Sequence, residues 1–105
     1  MAMAWVDVAA AGAVRRRGMV EAEAGGTALL LLDVAGTIHA VAAVCPHHQA
    51  WLSMGALDGD CIDCPRHQGR FHIPTGAQVR GPACPPLPVY PVREQAGRVL
   101  VALPS

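Results

Sequence analysis

Two short segments of the sequence each pair a cysteine with a histidine. Cys45 and His47 form a Cys-x-His pair, Cys64 and His67 form a Cys-x-x-His pair, and residues 48–63 separate the two pairs. Each segment therefore offers one soft thiolate and one imidazole. Two thiolates and two imidazoles suit either a tetrahedral zinc ion or an iron–sulfur cluster with mixed ligands. The four side chains predict a metal centre, and residue types alone leave both metals open.

The spacing of these residues favours iron over zinc. Zinc sites of this composition usually place two cysteines in one segment and two histidines in the other, whereas each segment here mixes the two. A [2Fe–2S] cluster in which two histidines bind one iron and two cysteines bind the other is the Rieske arrangement. Two neutral imidazoles in place of thiolates make the cluster less negative, so an added electron meets less repulsion. A zinc-stabilised interaction module remains the alternative.

The residues around both segments resemble the signature loops of Rieske ferredoxins. The similarity covers about residues 4–103, and the motifs that carry it are residues 45–55, 64–76, 82–85 and Tyr90-Pro91-Val92. It is strongest to the ferredoxin components of bacterial aromatic ring-hydroxylating dioxygenases of the naphthalene and biphenyl type. The resemblance implies one [2Fe–2S] cluster held by Cys45, His47, Cys64 and His67.

The same resemblance implies an electron carrier that is not an enzyme by itself. In that family the ferredoxin accepts electrons from a flavoprotein reductase and delivers them to a terminal oxygenase. We expect transient contacts with both partners at the histidine tip, as in other redox encounters. A small Rieske subunit of a nitrite-reductase-like complex is the second alternative.

Four further residues complicate the ligand assignment. His48 lies beside the first histidine ligand, and His72 stands where the family usually has Asp. Cys61 forms a Cys-x-x-Cys with Cys64, which elsewhere indicates a thiol redox site, but no βαβ pattern surrounds it. We expect Cys61 to pack in the strand that enters the second loop. Cys84, in the proline-rich segment 82–88, is expected to shield the cluster.

High-potential Rieske proteins resemble the same motif but add a disulfide and two hydroxyl groups around the cluster. By loop position these four sites fall on Ala50, Arg66, Gly69 and Phe71, none of which supplies a thiol or a hydroxyl. Hydrogen bonds to the sulfurs would stabilise the reduced state. We therefore expect a potential toward the lower end of the Rieske range.

The segments on either side of these loops are predicted to form β-strands. Gly and Pro interrupt Val-, Leu- and Ala-rich segments about every 8 to 12 residues, which is typical of an all-β sandwich or barrel. We predict an all-β, Rieske-like antiparallel β-sandwich, with a base of residues 1–44 and 77–105 and a cluster-binding part of two loops at 45–76. Glycines are expected to allow close approach in that part: Gly55, Gly69 and Gly76. The predicted strands are 5–8, 28–33, 37–42, 71–73, 77–80, 89–92 and 99–103.

Length and charge limit the remaining possibilities. At 105 residues we expect a single Rieske domain over 1–105. Eight basic residues, all arginines, balance eight acidic ones, so neither nucleic acid nor a membrane surface is an expected partner. No secretory signal is apparent, and four cysteines in a reducing compartment are better explained as ligands or free thiols. We expect a cytoplasmic monomer.

Several side chains outside the loops carry predictions of their own. Trp5 is expected in the core, and Trp51 is expected to cover the cluster or to face a partner. His39 is expected to face solvent. The three arginines at 15–17 are expected in a solvated turn, and a helix starting within 9–13 is weakened by Gly12.

Overall fold

The structure is a computed structural model that describes residues 3–46, 50–65, 69–81 and 84–104. Within these ranges the chain is mostly β-strand, and every strand pair is antiparallel. The all-β antiparallel prediction is therefore confirmed. The elements are β1 Met3–Ala10, α1 Ala11–Arg17, β2 Met19–Ala24, β3 Thr27–Val34, β4 Thr37–Ala42, a 3₁₀-helix Leu52–Met54, β5 Ala56–Asp58, β6 Cys61–Asp63, β7 Arg70–His72, β8 Gln78–Arg80, β9 Val89–Tyr90, β10 Val92–Gln95 and β11 Arg98–Pro104.

The strands form three sheets, with the orders β1-β11-β10, β2-β3-β4-β9 and β5-β6-β7-β8. Residues of the second sheet contribute to two separate cores, one on each face. This sheet therefore lies between the other two. Leu29 and Leu31 of β3 pack with Val99 and Val101 of β11 in one core. The intervening leucines of β3 pack with the third sheet and with the two cysteine loops in a second core.

A run of four leucines in β3 follows directly from this position. Alternate side chains of a strand point to opposite faces, so a strand covered on both faces is apolar at every position. Residues 29–32 are all leucine and all 0% exposed. β3 therefore joins the base of the fold to the part that carries the cysteine loops.

Two tight hairpin turns each contain one of the glycines that interrupt the strand-forming segments. Ala35 and Gly36 have φ values of 50° and 89°, and Ala96 and Gly97 have values of 51° and 77°. Two consecutive positive φ angles match the twist of the flanking strands. The second residue of each turn is a glycine, as this conformation favours.

Some expectations about side chains were wrong. Trp5 was expected in the core but is 41% exposed. Side chains alternate between the two faces of β1, so Val6 and Val8 face the core and Trp5 faces outward. The Arg93 guanidinium lies 4.3 Å from the centre of the Trp5 ring. The helix begins at Ala11, after β1, and includes the three arginines that were expected in a turn. His39 is half-buried within β4. Three strands were not predicted: β2, β5 and β10.

No helix in the described ranges is long and apolar enough to cross a membrane. The predicted boundary at residue 76 between the cluster-binding part and the base stays a prediction. The third sheet itself continues beyond that point, since β8 pairs with β7.

Candidate metal centre

The two cysteine segments form loops that are closed in the same way. An isolated bridge joins Val44 to Trp51, and the last paired position of β6 and β7 joins Asp63 to Arg70. Residues 45–50 and 64–69 thus form two loops of equal length. The amide of Cys45 donates to the Ala50 carbonyl at 2.8 Å, and the amide of Cys64 donates to the Gly69 carbonyl at 2.7 Å. Each predicted cysteine ligand therefore occupies the first position of a closed loop.

Cys45 and Cys64 are brought together in the second core. Cys45 is 1% exposed and Cys64 is 4% exposed, both are free of disulfides, and both belong to the same buried cluster as Phe71 and Leu52. Thiolates are the usual ligands of iron–sulfur clusters. Two buried cysteines at equivalent loop positions fit the cysteine half of a Rieske site.

The two predicted histidine ligands, His47 and His67, lie outside the described residues, as do His48 and Arg66. Each histidine falls in the loop that its cysteine begins, two residues after Cys45 and three after Cys64. Within the described ranges, groups of three or more His, Cys, Asp or Glu side chains suited to a metal ion are absent. The ligand set of the sequence analysis therefore stays a prediction, with its two cysteines in suitable positions.

The proline-rich segment packs against the same core. Leu87 is 2% exposed, its amide donates to the Gly76 carbonyl at 2.8 Å, and Cys84 packs on the cluster that contains Cys45. Burial raises the pKa of the Cys84 thiol, and the nearby Cys45 raises it further. Cys84 therefore packs on the core that contains both loop cysteines, and its expected role in shielding a metal cluster stays a prediction.

Two of the three glycines singled out in the sequence lie in close contact with another part of the backbone. A Cβ atom on Gly55 would lie 1.8 Å from the Asp63 carbonyl oxygen, and one on Gly76 would lie 2.0 Å from the Leu87 carbonyl oxygen. Gly69 is itself buried, with the backbone of Gly81 close to it. These contacts bring loop one, loop two and the proline-rich segment together without intervening side chains.

Cys61 lies in β6, as expected, and not in a disulfide with Cys64. Its thiol is 3.6 Å from Oδ1 of Asp60, to which it donates. Burial, followed by the hydrogen bond to Asp60, raises the pKa of Cys61. A half-buried thiol with a raised pKa is a poor nucleophile, which disfavours the interpretation of the Cys-x-x-Cys pattern as a thiol redox site.

His72 is held by two neighbours on the outer face of the third sheet. Its Nδ1 is 2.9 Å from the Thr75 hydroxyl, and its Nε2 is 2.9 Å from Oδ2 of Asp60. The hydrogen bond from His72 is the main cause of the lowered pKa of Asp60. His72, in β7, thus bridges the turn between β5 and β6, which carries Asp60, and the turn that follows β7. The sequence signal was a threonine three residues after the histidine, at the start of the Thr75-Gly76 turn.

An ion-pair network on the same face was missed by the sequence analysis. Nε and Nη2 of Arg70 donate to the two carboxylate oxygens of Asp63 at 2.6 and 3.0 Å, and Nη2 also donates to Asp58 at 2.9 Å. The hydrogen bond from Arg70 is the main cause of the lowered pKa of Asp63. The signal available in the sequence was an acidic and a basic residue directly flanking loop two.

Exposed apolar side chains lie beside loop one. Trp51 is 49% exposed and Met54 is 76% exposed. Trp51 also borders an open groove of about 310 Å³, whose rim carries Glu21 and Glu23. Of the two positions expected for Trp51, the structure favours an outward one that a partner protein can contact.

Residues 4–91 match the family of Rieske [2Fe–2S] domains. The chain is 34% identical over 99 residues to the ferredoxin component of a naphthalene 1,2-dioxygenase system from Pseudomonas aeruginosa, covering 94% of this chain and 95% of the relative. Its structure is similar to that of the Sphingomonas yanoikuyae B1 ferredoxin, with a TM-score of 0.89, 30% identity, and coverage of 96% and 100%. It also resembles a chain in a complex of reduced oxygenase and oxidized ferredoxin in carbazole 1,9a-dioxygenase, with a TM-score of 0.84, 35% identity, and coverage of 93% and 92%.

Proposed function

Because this chain belongs to the family of Rieske [2Fe–2S] domains, we propose that it is the ferredoxin of an aromatic ring-hydroxylating dioxygenase system. In this role it carries single electrons from a flavoprotein reductase to a terminal oxygenase. The observation that carries the proposal is the pair of buried cysteines, Cys45 and Cys64, at the first positions of two loops that are each closed by a backbone hydrogen bond of the cysteine amide. Nearly full-length similarity to ferredoxin components of such systems supports it.

We assign the ligands as Cys45 and Cys64 on one iron and His47 and His67 on the other. When bound, a Rieske [2Fe–2S] cluster takes up and releases one electron at a time. The described residues hold the two thiolates in place and exclude water from them. Leu52, Phe71 and Leu87 supply the apolar cover, since each is at most 2% exposed and packs in the same core. A dry, shaped surrounding controls the potential of such a centre.

The docking surface is proposed at the loop tips and the neighbouring exposed side chains. Trp51 and Met54 lie on the side of loop one, and large exposed apolar side chains are frequent at protein interfaces. A small contact area suits rapid exchange between two partners. The chain would then work as a cytoplasmic monomer that binds the reductase and the oxygenase transiently, one after the other.

The ligand assignment is tested on protein purified without air and supplied with iron and sulfide. Iron and acid-labile sulfide should be present in equal amounts, and the reduced protein should give a Rieske-type EPR signal. Cys45→Ser and Cys64→Ser should lose the cluster. Cys61→Ser and Cys84→Ser are matched controls, because they remove a thiol from the same region and should keep it.

The histidine assignment needs its own variants. His47→Cys and His67→Cys should alter the EPR spectrum and lower the potential, because each thiolate adds negative charge to the centre. His48→Cys is the control and should leave the spectrum unchanged. A colourless protein with stoichiometric zinc would instead establish the zinc-stabilised interaction module.

The electron-transfer role is tested with the reductase and oxygenase of a naphthalene 1,2-dioxygenase system. The loaded ferredoxin should accelerate reduction of the oxygenase by NADH through the reductase. Stable co-purification with a catalytic subunit from the native host, together with failure to exchange electrons freely, would favour the nitrite-reductase-like alternative.

A further inference from the structure

We propose that Arg70 is a positioning residue for loop two, which it fixes by clamping the strands on either side of the Cys64 ligand. This inference rests on the proposed function, because it concerns the geometry of a cluster ligand. It goes beyond the ligand set itself, since Arg70 is not expected to touch the metal.

The position of Arg70 in the sheet is the first argument. Asp63 and Arg70 are the last paired residues of β6 and β7 before the chain enters and after it leaves loop two. Directly opposite residues of an antiparallel pair carry their side chains on the same face. The Asp63 carboxylate and the Arg70 guanidinium therefore meet across the mouth of the loop, one residue from Cys64 on the chain.

The geometry of the contact is the second argument. Arg70 binds both carboxylate oxygens of Asp63 at 2.6 and 3.0 Å, which is the fork-like pairing that fixes both position and orientation. The same guanidinium reaches Asp58 on β5 at 2.9 Å, so one side chain ties three strands together. The Arg70 and Asp63 side chains are only 24% and 25% exposed, so solvent competes with this pair less than with a fully exposed one.

The surrounding face of the sheet gives the third argument. The opposite face of the same strands is apolar, where Leu57, Ile62 and Phe71 pack in the second core beside Cys45 and Cys64. Apolar packing resists separation of the layers but does not fix the lateral position of a loop, whereas a bidentate ion pair is directional. Arg80 faces Arg70 in the register of β8 and lies 3.8 Å from Asp63, so Asp63 also compensates two neighbouring positive charges.

The test compares Arg70→Gln with Arg70→Lys and with a control pair elsewhere. Arg98 also pairs with an aspartate, Asp7: its Nε donates to both carboxylate oxygens at 3.1 Å, its Nη2 lies 3.0 Å from Oδ1, and the contact joins β11 to β1 in the base. Arg98→Gln therefore removes a more exposed Arg–Asp ion pair between two strands that lie far along the chain from the cysteine loops. All variants are purified as loaded ferredoxin, and the rate of iron release to a chelator is measured alongside the EPR g values.

We expect Arg70→Gln to release iron roughly three- to tenfold faster than the unmodified chain, with shifted g values. Arg70→Lys should recover part of the loss, because a lysine keeps the charge but not the fork. Arg98→Gln should match the unmodified chain. Equal release from all variants, or equal acceleration by Arg70→Gln and Arg98→Gln, would overturn the inference. An unmodified chain that never assembles a cluster would instead refute the proposed function.

Discussion

The α-carbon of Gly55 lies against the main-chain carbonyl of Asp63, so closely that a Cβ atom on Gly55 would be 1.8 Å from the Asp63 oxygen. Gly55 follows the first cysteine loop, and Asp63 directly precedes the second. The segments that flank the two loops therefore share a backbone-to-backbone contact that admits no side chain at position 55. The relative position of the two loops therefore depends on Gly55 having no Cβ atom.

Gly55→Ala should therefore separate the two loops. The oxygen that the new methyl group meets belongs to the backbone, so it cannot move away as a flexible side chain would. We expect a loss of about 2 to 3 kcal/mol of unfolding free energy, within the range of overpacked sites, and weaker cluster retention. Denaturant unfolding of the loaded protein measures the first, and iron analysis after gel filtration measures the second.

Gly12→Ala is the matched control for this glycine. A Cβ atom there would meet only the end of the Arg16 side chain at 3.7 Å, and Gly12 lies in α1. We expect stability to rise by up to about 1 kcal/mol, since alanine favours the helix. Equal losses from both glycine variants would contradict the role of the Gly55 contact.

The contact between Asp60 and His72 predicts a contribution to stability that is lost at acid pH. The pKa of Asp60 is lower in the folded chain, chiefly because of the hydrogen bond from His72. Stabilisation by such a carboxylate is complete above its unfolded pKa, near 3.9, and is lost as the pH falls through the lower folded pKa. His72→Gln should therefore flatten the fall in stability below about pH 4. His39→Gln, in the base, should leave the acid limb of the stability curve unchanged.

Phe71 should be the most sensitive apolar residue of the site. It is fully buried in the core that contains both cysteines. Truncation of a buried phenylalanine costs about 3 to 5 kcal/mol. Phe71→Ala should therefore lower the thermal midpoint strongly and impair cluster assembly. Val79→Ala, at a position that is 59% exposed, should change stability by no more than about 0.5 kcal/mol.

The reduction potential should lie toward the lower end of the Rieske range of about −150 to +300 mV. The described positions that carry polar groups in high-potential relatives are Ala50, Gly69 and Phe71 here, and none has a thiol or hydroxyl to donate to a cluster sulfur. Fewer such donors leave the reduced state less stabilised. A redox titration that gives a value well above zero would contradict this expectation.

The strand-rich architecture and the cysteine positions were accessible from the sequence because their signals are local. Gly36 and Gly97 marked the tight hairpins, and the run of leucines marked a buried strand. The short strand β5 was not found from the sequence. Ala56–Asp58 is a strand because it pairs with β6 within the third sheet, which is a tertiary effect.

The outward position of Trp5 and the clamp around Arg70 show where sequence reasoning stopped. Its hydrophobicity predicted that Trp5 is buried. In β1, however, two valines occupy the core-facing positions, and the Trp5 indole faces outward against Arg93. Arg70 and Asp63 stand seven residues apart, and only the register of β6 on β7 makes them opposite neighbours. Such pairings depend on strand register, which residue types alone do not fix.

The central position of β3 has a consequence for how the molecule opens. The leucines of β3 contribute alternately to the two cores. If either core lost its packing, one face of this strand would be exposed to water. Amide hydrogens of residues 29–32 should therefore exchange with deuterium only through global unfolding, more slowly than those of any edge strand. Heating should then give one transition by tryptophan fluorescence and by visible absorption, so that the electron-carrying end and the scaffold melt as a single thermodynamic unit.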